Sequence, residues 1–246
     1  MIAWSYGGGV QSVAIGVLIR EGVLPVPDLA GIADTGRECQ STWDYLRDHM
    51  QPFLDPLGMK IEVAAHTFAR VDLFDKSGLT LVPAYTEEGR LGAFCSGEWK
   101  RDAMERWLRS KGVKQCVQWI GYSADELWRV KKDHRSWCVN EFPLIDKFID
   151  RGMCRLLIEK SGLPIPRKSR CWCCPHQDEA EWREVQANSE EWDKAISLEK
   201  QINASDPQQK GLFLWRGRKP LEMADFSSKA GLATPIRPCE TGGCWT

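Results

Sequence analysis

The feature that most constrains this chain is a β-prone segment that runs without interruption into three glycines and then into a helical pattern. Ile2 to Ser5 is followed by Tyr6, by Gly7, Gly8 and Gly9, and then by Val10, Gln11, Ser12 and the apolar run from Val13 to Ile19. Three successive residues without a Cβ let the backbone turn sharply and present its N–H groups, while the new helix directs its positive end to the same place. The stretch reads as strand, turn and helix of an α/β domain, with the turn shaped as a phosphate cradle. A tight strand-to-helix turn without a ligand is the alternative that the glycines alone leave open. The loop is neither a Walker loop, since no Gly-Lys-Ser/Thr follows, nor a dinucleotide fingerprint, since the third glycine of G-x-G-x-x-G is missing.

The alternation continues to about residue 130, which calls for a parallel sheet covered on both faces by helices. Strands are expected at Ile2–Ser5, Leu29–Ala33, Ile61–Ala65 and Cys116–Ile120, and helices at Gln11–Glu21, Ser41–Leu57, Gly97–Lys111 and, briefly, from Ala124. Right-handed crossovers would set the carboxyl ends of the strands along one rim, where ligands bind at the switch in strand order. The expected division is a nucleotide-binding α/β domain over 1–140 and a helical, cysteine-rich extension over 141–246. The extension would hold a long charged helix at Asp178–Asn203, a short strand at Leu212–Trp215 and an irregular tail.

Composition limits the function classes. A formal net charge of -1 argues against a protein that holds nucleic acid by bulk charge alone. There is no apolar run of membrane-spanning length and no leader pattern, so a soluble cytoplasmic protein is expected. In a reducing compartment the ten cysteines are expected to be ligands or reactive thiols rather than disulfides.

Several loops carry chemistry-bearing residues. Asp34, Thr35 and Gly36 follow the second strand and can set a carboxylate and a hydroxyl beside whatever the glycine loop holds, or simply form a capped turn. Gly121 to Arg129 follow the fourth strand, with Asp125, Glu126 and Arg129 available to a ligand. Lys100 and Arg101 suit an anionic phosphate or sulfate. Cys171 and Cys174 form a C-x-x-C, and with Cys95 and Cys154 they make four thiolates, the number that a [4Fe-4S] cluster or a tetrahedral zinc site requires.

Together these segments resemble the phosphoadenosine phosphosulfate (PAPS) reductase-like family of the PP-loop superfamily. Gly7 to Ser12 is similar to its S-G-G-x-D-S loop, matching at Gly8, Gly9 and Ser12, with Gly7 in place of the first serine and Gln11 in place of the aspartate. Asp34 to Glu38, with Thr42 and Tyr45, resembles D-T-G-x-E…T…Y. Gly121 to Arg129 resembles G-I-R-x-D/E-E…R, with Ser123 where an arginine is common. Gly162 to Pro175 is similar to G-x-P-x-P-x-K-S-x-C-x-x-C-P, and Cys239 and Cys244 lie in a tail that resembles the Glu-Cys-Gly terminus of the reductases.

The resemblance implies an adenine nucleotide alpha-hydrolase-like, Rossmann-like fold. It also implies ATP or PAPS as ligand, with Mg²⁺ accompanying the phosphates and an iron–sulfur cluster or zinc on the cysteines. Gly7, Gly8, Gly9, Gln11 and Ser12 would bind phosphate, Asp34, Thr35, Gly36 and Gly121 would lie beside the nucleotide, and Ser12, Asp125, Glu126 and Arg129 would serve catalysis. Two reactions are consistent with it: ATP-dependent activation of an acceptor for sulfur transfer, with a nucleic acid as acceptor and a sulfur-donor protein as partner, or thiol attack on an activated sulfate. A non-catalytic nucleotide-binding module with a structural metal is the reading from a different class.

Overall fold

The computed structural model describes residues 1–65, 73–74, 77–78, 80–92, 95–130, 135–206, 208 and 210–226. Strand β1 (Ile2–Ser5) leads through the glycines into helix α1 (Val10–Arg20), and β2 (Leu29–Ala33) follows. Helix α2 (Gln40–Tyr45), a wide π-turn (Leu46–Met50), α3 (Gln51–Leu54) and a 3₁₀ turn (Asp55–Leu57) return the chain to β3 (Ile61–Ala64). The expected single helix over Ser41–Leu57 is thus divided. Pro52 supplies no N–H and its ring crowds the carbonyl four residues earlier, and the π-turn that precedes it accommodates both effects.

A two-residue hairpin, β4 (Tyr85–Thr86) and β5 (Gly89–Arg90), precedes a second π-turn (Ser96–Arg101), α4 (Asp102–Ser110) and β6 (Cys116–Ile120). A 3₁₀ turn (Ala124–Arg129), β7 (Cys138–Glu141), α5 (Pro143–Asp146) and α6 (Arg151–Lys160) come next. The main sheet has the order β3-β2-β1-β6-β7 with every pairing parallel. Three of the four expected strands have the expected bounds, and β3 stops one residue early, where the Asp34 N–H reaches the Ala64 carbonyl. The edge strand β7 was not expected. Only Cys138 in it is buried, so it shows none of the apolar alternation that marks a strand.

Alternate residues of β1 feed two cores. Trp4 is fully buried on the face covered by α1, α3 and α6, and Ala3 lies on the face covered by Met104, Trp107 and Leu108 of α4. Helix α1 is buried from Val10 to Ile19, because α6 packs along the side that the sheet leaves open. Its sequence is correspondingly apolar almost all round, the pattern of a helix with no solvent face.

The chain divides into two compact units. One takes in the described residues up to 65 and those from 98 to 170. The other takes in those from 73 to 97 and from 171 to 226. In this division α6 falls in the same unit as the sheet, where it completes the core around α1.

In the second unit, the expected helix over Asp178–Asn203 is two helices, α7 (Glu179–Ala187) and α8 (Ser189–Ser205). Asn188 breaks it: its side chain accepts the Glu191 N–H at 3.3 Å and caps α8. Trp182, Trp192, Trp215 and Phe226 pack edge-on and face-to-face. The buried Glu199 carboxylate accepts the N–H groups of Leu214 and Leu221, each at 2.8 Å, and so anchors the irregular segment after α8. In place of a strand at Leu212–Trp215, Phe213 alone pairs with Tyr85. Among the described residues no helix is long and apolar enough to cross a membrane.

Candidate functional site

The glycine loop lies where the strand order changes direction, between β1 and β6. Gly8 has φ +76, and a Cβ built on it would stand 2.5 Å from Cγ2 of Thr42. The Gly7 N–H donates to Ser12 Oγ at 2.9 Å, which folds the loop over the first turn of α1. Gly9 caps α1 with extended backbone and no side-chain hydrogen bond, and the first turn contains no acidic residue. The leading N–H groups of the helix are therefore left for a ligand, in a field that favours an anion.

A cleft of about 530 Å³, including the solvent at its mouth, opens at the carboxyl ends of β1, β2 and β6. Gly7 and Ser12 line one side, Gly31 to Ala33 another, and Gln118, Ile120 and Gly121 a third. A Cβ on Gly121 would sit 3.2 Å from Ser12 Oγ, so a glycine there lets the end of β6 approach the first turn of α1. The remaining wall comes from Glu38 and from Lys100, Arg101 and Met104, and the second π-turn carries both cations to the cleft.

Lys100 does not stand alone in that wall. Its ammonium lies 3.4 Å from Glu38 Oε2, in a pair that is almost wholly buried on the Glu38 side. Glu38 Oε1 accepts from Ser169 Oγ at 2.6 Å and from Thr42 Oγ1 at 3.3 Å. One carboxylate thus joins the glycine loop, through Thr42, to the Lys168-Ser169 segment and to the cation of the cleft. Arg101 is more exposed and is held by Asp102 at 3.0 Å. Asp34 and Thr35 form turns: Asp34 Oδ1 accepts the Gly36 N–H at 2.7 Å, and Thr35 Oγ1 accepts the Arg37 N–H at 3.2 Å. The three residues Asp34, Thr35 and Gly36 shape the rim and do not line the cleft.

Asp125, Glu126 and Arg129 take a different place from the one expected. None lines the cleft. Ser123 and Glu126 form a reciprocal capping box on the 3₁₀ turn. Arg129 is bound to Glu126 at 2.6 Å and lies over the Tyr122 ring, 4.3 Å from its centroid. Asp125 accepts the backbone N–H of Arg151 at 3.1 Å. The network ends on Gln11, which is 4% exposed: its amide nitrogen donates to Glu126 Oε2 at 3.1 Å, and its carbonyl oxygen accepts from the Arg151 guanidinium at 3.3 Å. Gln11 and Glu126 hold the first turn of α1 against the turn after β6, and the exposed Arg151 side chain adds a single contact from α6.

The cysteines are dispersed in setting. Cys154, in the first unit, is wholly buried among the apolar residues between α1 and α6. Burial pushes its thiol up to about 12, and the Asp125 and Asp150 carboxylates add to the effect. Cys95, Cys171 and Cys174 belong to the second unit and are half-buried, and the Cys174 N–H closes a turn on the Cys171 carbonyl at 3.0 Å. Among the described residues no three His, Cys, Asp or Glu side chains are gathered closely enough to hold a metal ion. The four-thiolate centre suggested by spacing is thus not assembled there, and Cys154 has the surroundings of a core residue. Cys239 and Cys244 lie outside the described residues.

Glu38, Thr42, Ser169 and Arg151 complete this site and were not among the expected site residues. The first three stood inside recognised segments, whereas nothing in the sequence marks Arg151.

No protein-family model matches the chain and no curated protein matches it in sequence. Among solved structures, the U34-tRNA thiolase NcsA from Methanococcus maripaludis with its [4Fe-4S] cluster is similar over 91% of this chain and 72% of that one, at 16% identity and a TM-score of 0.47. At that level the likeness carries nothing about substrate or cofactor, and the α/β class is read from the strand order of this chain itself.

Proposed function

We propose that the protein is an adenine-nucleotide-using enzyme that activates an acceptor at the expense of ATP for sulfur transfer. The observation that carries this reading is the cleft at the change in strand order, which combines an uncapped helix N-terminus behind three glycines with the Lys100 ammonium. The N–H groups of the loop and of the first turn of α1 would bind phosphate oxygens, and the end of β2 would flank the nucleoside. An acceptor oxygen attacks the α-phosphorus, the bond to the β-phosphate breaks, and pyrophosphate leaves with its electron pair. A sulfur nucleophile then displaces AMP from the activated carbon. The protein contributes position and charge, and Lys100, oriented by Glu38, neutralises the phosphate charge that grows as pyrophosphate departs.

A nucleic-acid base is the acceptor class and a protein persulfide the donor class that fit this chemistry, a second thiol of the donor then breaking the S–S bond and leaving as a disulfide with it. The metal reading on Cys95, Cys154, Cys171 and Cys174 rests on spacing, and no step passes through it. Thiol attack on an activated sulfate would need an exposed cysteine, and its candidates Cys239 and Cys244 lie outside the described residues.

Pyrophosphate release from ATP, measured with a transfer-RNA pool as acceptor, tests the reading. Lys100→Ala is expected to lower the rate about 10²-fold, the effect of removing one charge-stabilising group, and Lys100→Arg, which keeps the counter-charge of the buried Glu38, to recover part of it. PAPS-dependent sulfite formation without pyrophosphate release from ATP would replace this reading with the reductase.

A further inference from the structure

Gln11 is where the glycine loop departs most from an S-G-G-x-D-S loop, because it removes the carboxylate that could hold Mg²⁺ at the phosphates. The surrounding groups do not replace that carboxylate. Glu126 is occupied by Gln11, by Ser123 and by Arg129. Glu38, the one acidic residue lining the cleft among the described residues, is occupied by Ser169, Thr42 and Lys100. The donor set around Gln11, at the first turn of α1 beside the cleft's Gly7 and Ser12, does not fit a divalent cation.

It fits an anion instead. Arg151 is the first residue of α6, whose packing on α1 fixes its backbone, and its guanidinium reaches Gln11 Oε1 in the first turn of α1. Among the described residues no carboxylate lies within ion-pair distance of that guanidinium. Asp125 bonds its backbone N–H, and Asp150 accepts the Met153 N–H at 2.7 Å. One N–H of the planar fork is used on Gln11, and the others remain for oxygen acceptors beside the uncapped helix end. A carboxylate at position 11 would instead face the Glu126 carboxylate, a like-charge contact that the neutral amide turns into a hydrogen bond.

We propose that the Arg151 guanidinium, tethered by Gln11, supplies the positive charge at the phosphates that a carboxylate-held Mg²⁺ supplies in an S-G-G-x-D-S loop, so that nucleotide binds here without protein-held Mg²⁺. The proposal rests on the nucleotide-binding reading above and adds to it the identity of the phosphate's counter-charge.

Calorimetric titration of ATP into the full chain, once with excess Mg²⁺ and once in EDTA, tests it. The two affinities are expected to agree closely. Arg151→Ala should weaken ATP in EDTA by about 10- to 10²-fold, the loss of a charge-assisted bond to phosphate, with an unchanged melting temperature because the side chain is exposed. Arg151→Lys should recover part of the loss, and Gln11→Asp should make binding depend on Mg²⁺. Binding that requires Mg²⁺ in the unaltered chain, or an Arg151→Ala protein with full affinity, overturns this inference and leaves the proposed function standing. No ATP binding in either buffer overturns both.

Discussion

Replacing Gly8 by alanine tests how the cradle is held open. At φ +76 a residue with a Cβ incurs about 1–2 kcal/mol of backbone strain. The new Cβ also meets Thr42 Cγ2 at 2.5 Å, well inside contact distance. Thr42 cannot swing away freely, because it is buried and its hydroxyl is bonded to Glu38, which is itself held by Ser169 and Lys100. Forcing such a contact in a packed site costs about 1–3 kcal/mol, so Gly8→Ala should destabilise the protein by about 2–5 kcal/mol in all. Thr42→Ser keeps the hydroxyl and removes the offending methyl, at a cost of about 1 kcal/mol alone. In the double variant the steric share disappears and the backbone strain remains. A double-mutant cycle by urea unfolding should therefore give a coupling of about 1–3 kcal/mol, the steric share, and ATP titration should show affinity partly restored. If the two costs simply add, the contact is relieved by some other movement and the account of a cradle braced by Thr42 is wrong.

Two other outcomes are expected. Burial raises the Glu199 carboxyl above its ordinary value despite the opposing N–H bonds from Leu214 and Leu221, and the Glu222 carboxylate adds to the rise. Its contribution to stability is therefore full below about pH 4.5, the unfolded value, and is lost as pH rises through the higher folded value. Glu199→Gln should remove that slope and cost about 1–3 kcal/mol by setting an amide NH₂ against a backbone donor; equal slopes in both proteins would contradict it. For the cysteines, anaerobic purification with iron and zinc analysis should show metal lost on Cys171→Ser and Cys174→Ser and retained on Cys154→Ser. A protein free of both metals would end the metal reading.

The sheet was legible because its strands are short apolar runs bounded by turn residues, and β1, β2 and β6 end where the sequence says they should. The two π-turns were not, since one extra residue in a turn leaves no mark on a 3.6-residue period. The break at Asn188 was available in the chain, as an asparagine followed three residues later by Glu191, but the charged helical pattern on both sides conceals it. The glycine loop and the cations at 100 and 101 were recognised locally, and Gly7, Ser12, Lys100 and Arg101 border the cleft. What escaped is pairing over distance. Gln11 with Glu126 and Arg151, and Glu38 with Ser169, join residues more than a hundred positions apart, and their side chains carry no periodic signal. Glu126 and Arg129 look like site residues in one dimension because charges next to a glycine loop's partner strand invite that reading; in the fold they satisfy each other.

The interleaving of the two units bears on how the chain is made. All the described residues of the sheet unit have left the ribosome once residue 170 emerges, so its cleft can form while synthesis continues. Tyr85 emerges long before that, but its strand partner Phe213 is more than a hundred residues later. At ordinary elongation rates the β4 hairpin waits on the order of ten seconds for the segment that completes its unit. During that interval the backbone edge of Tyr85 that Phe213 will cover stays open to other chains.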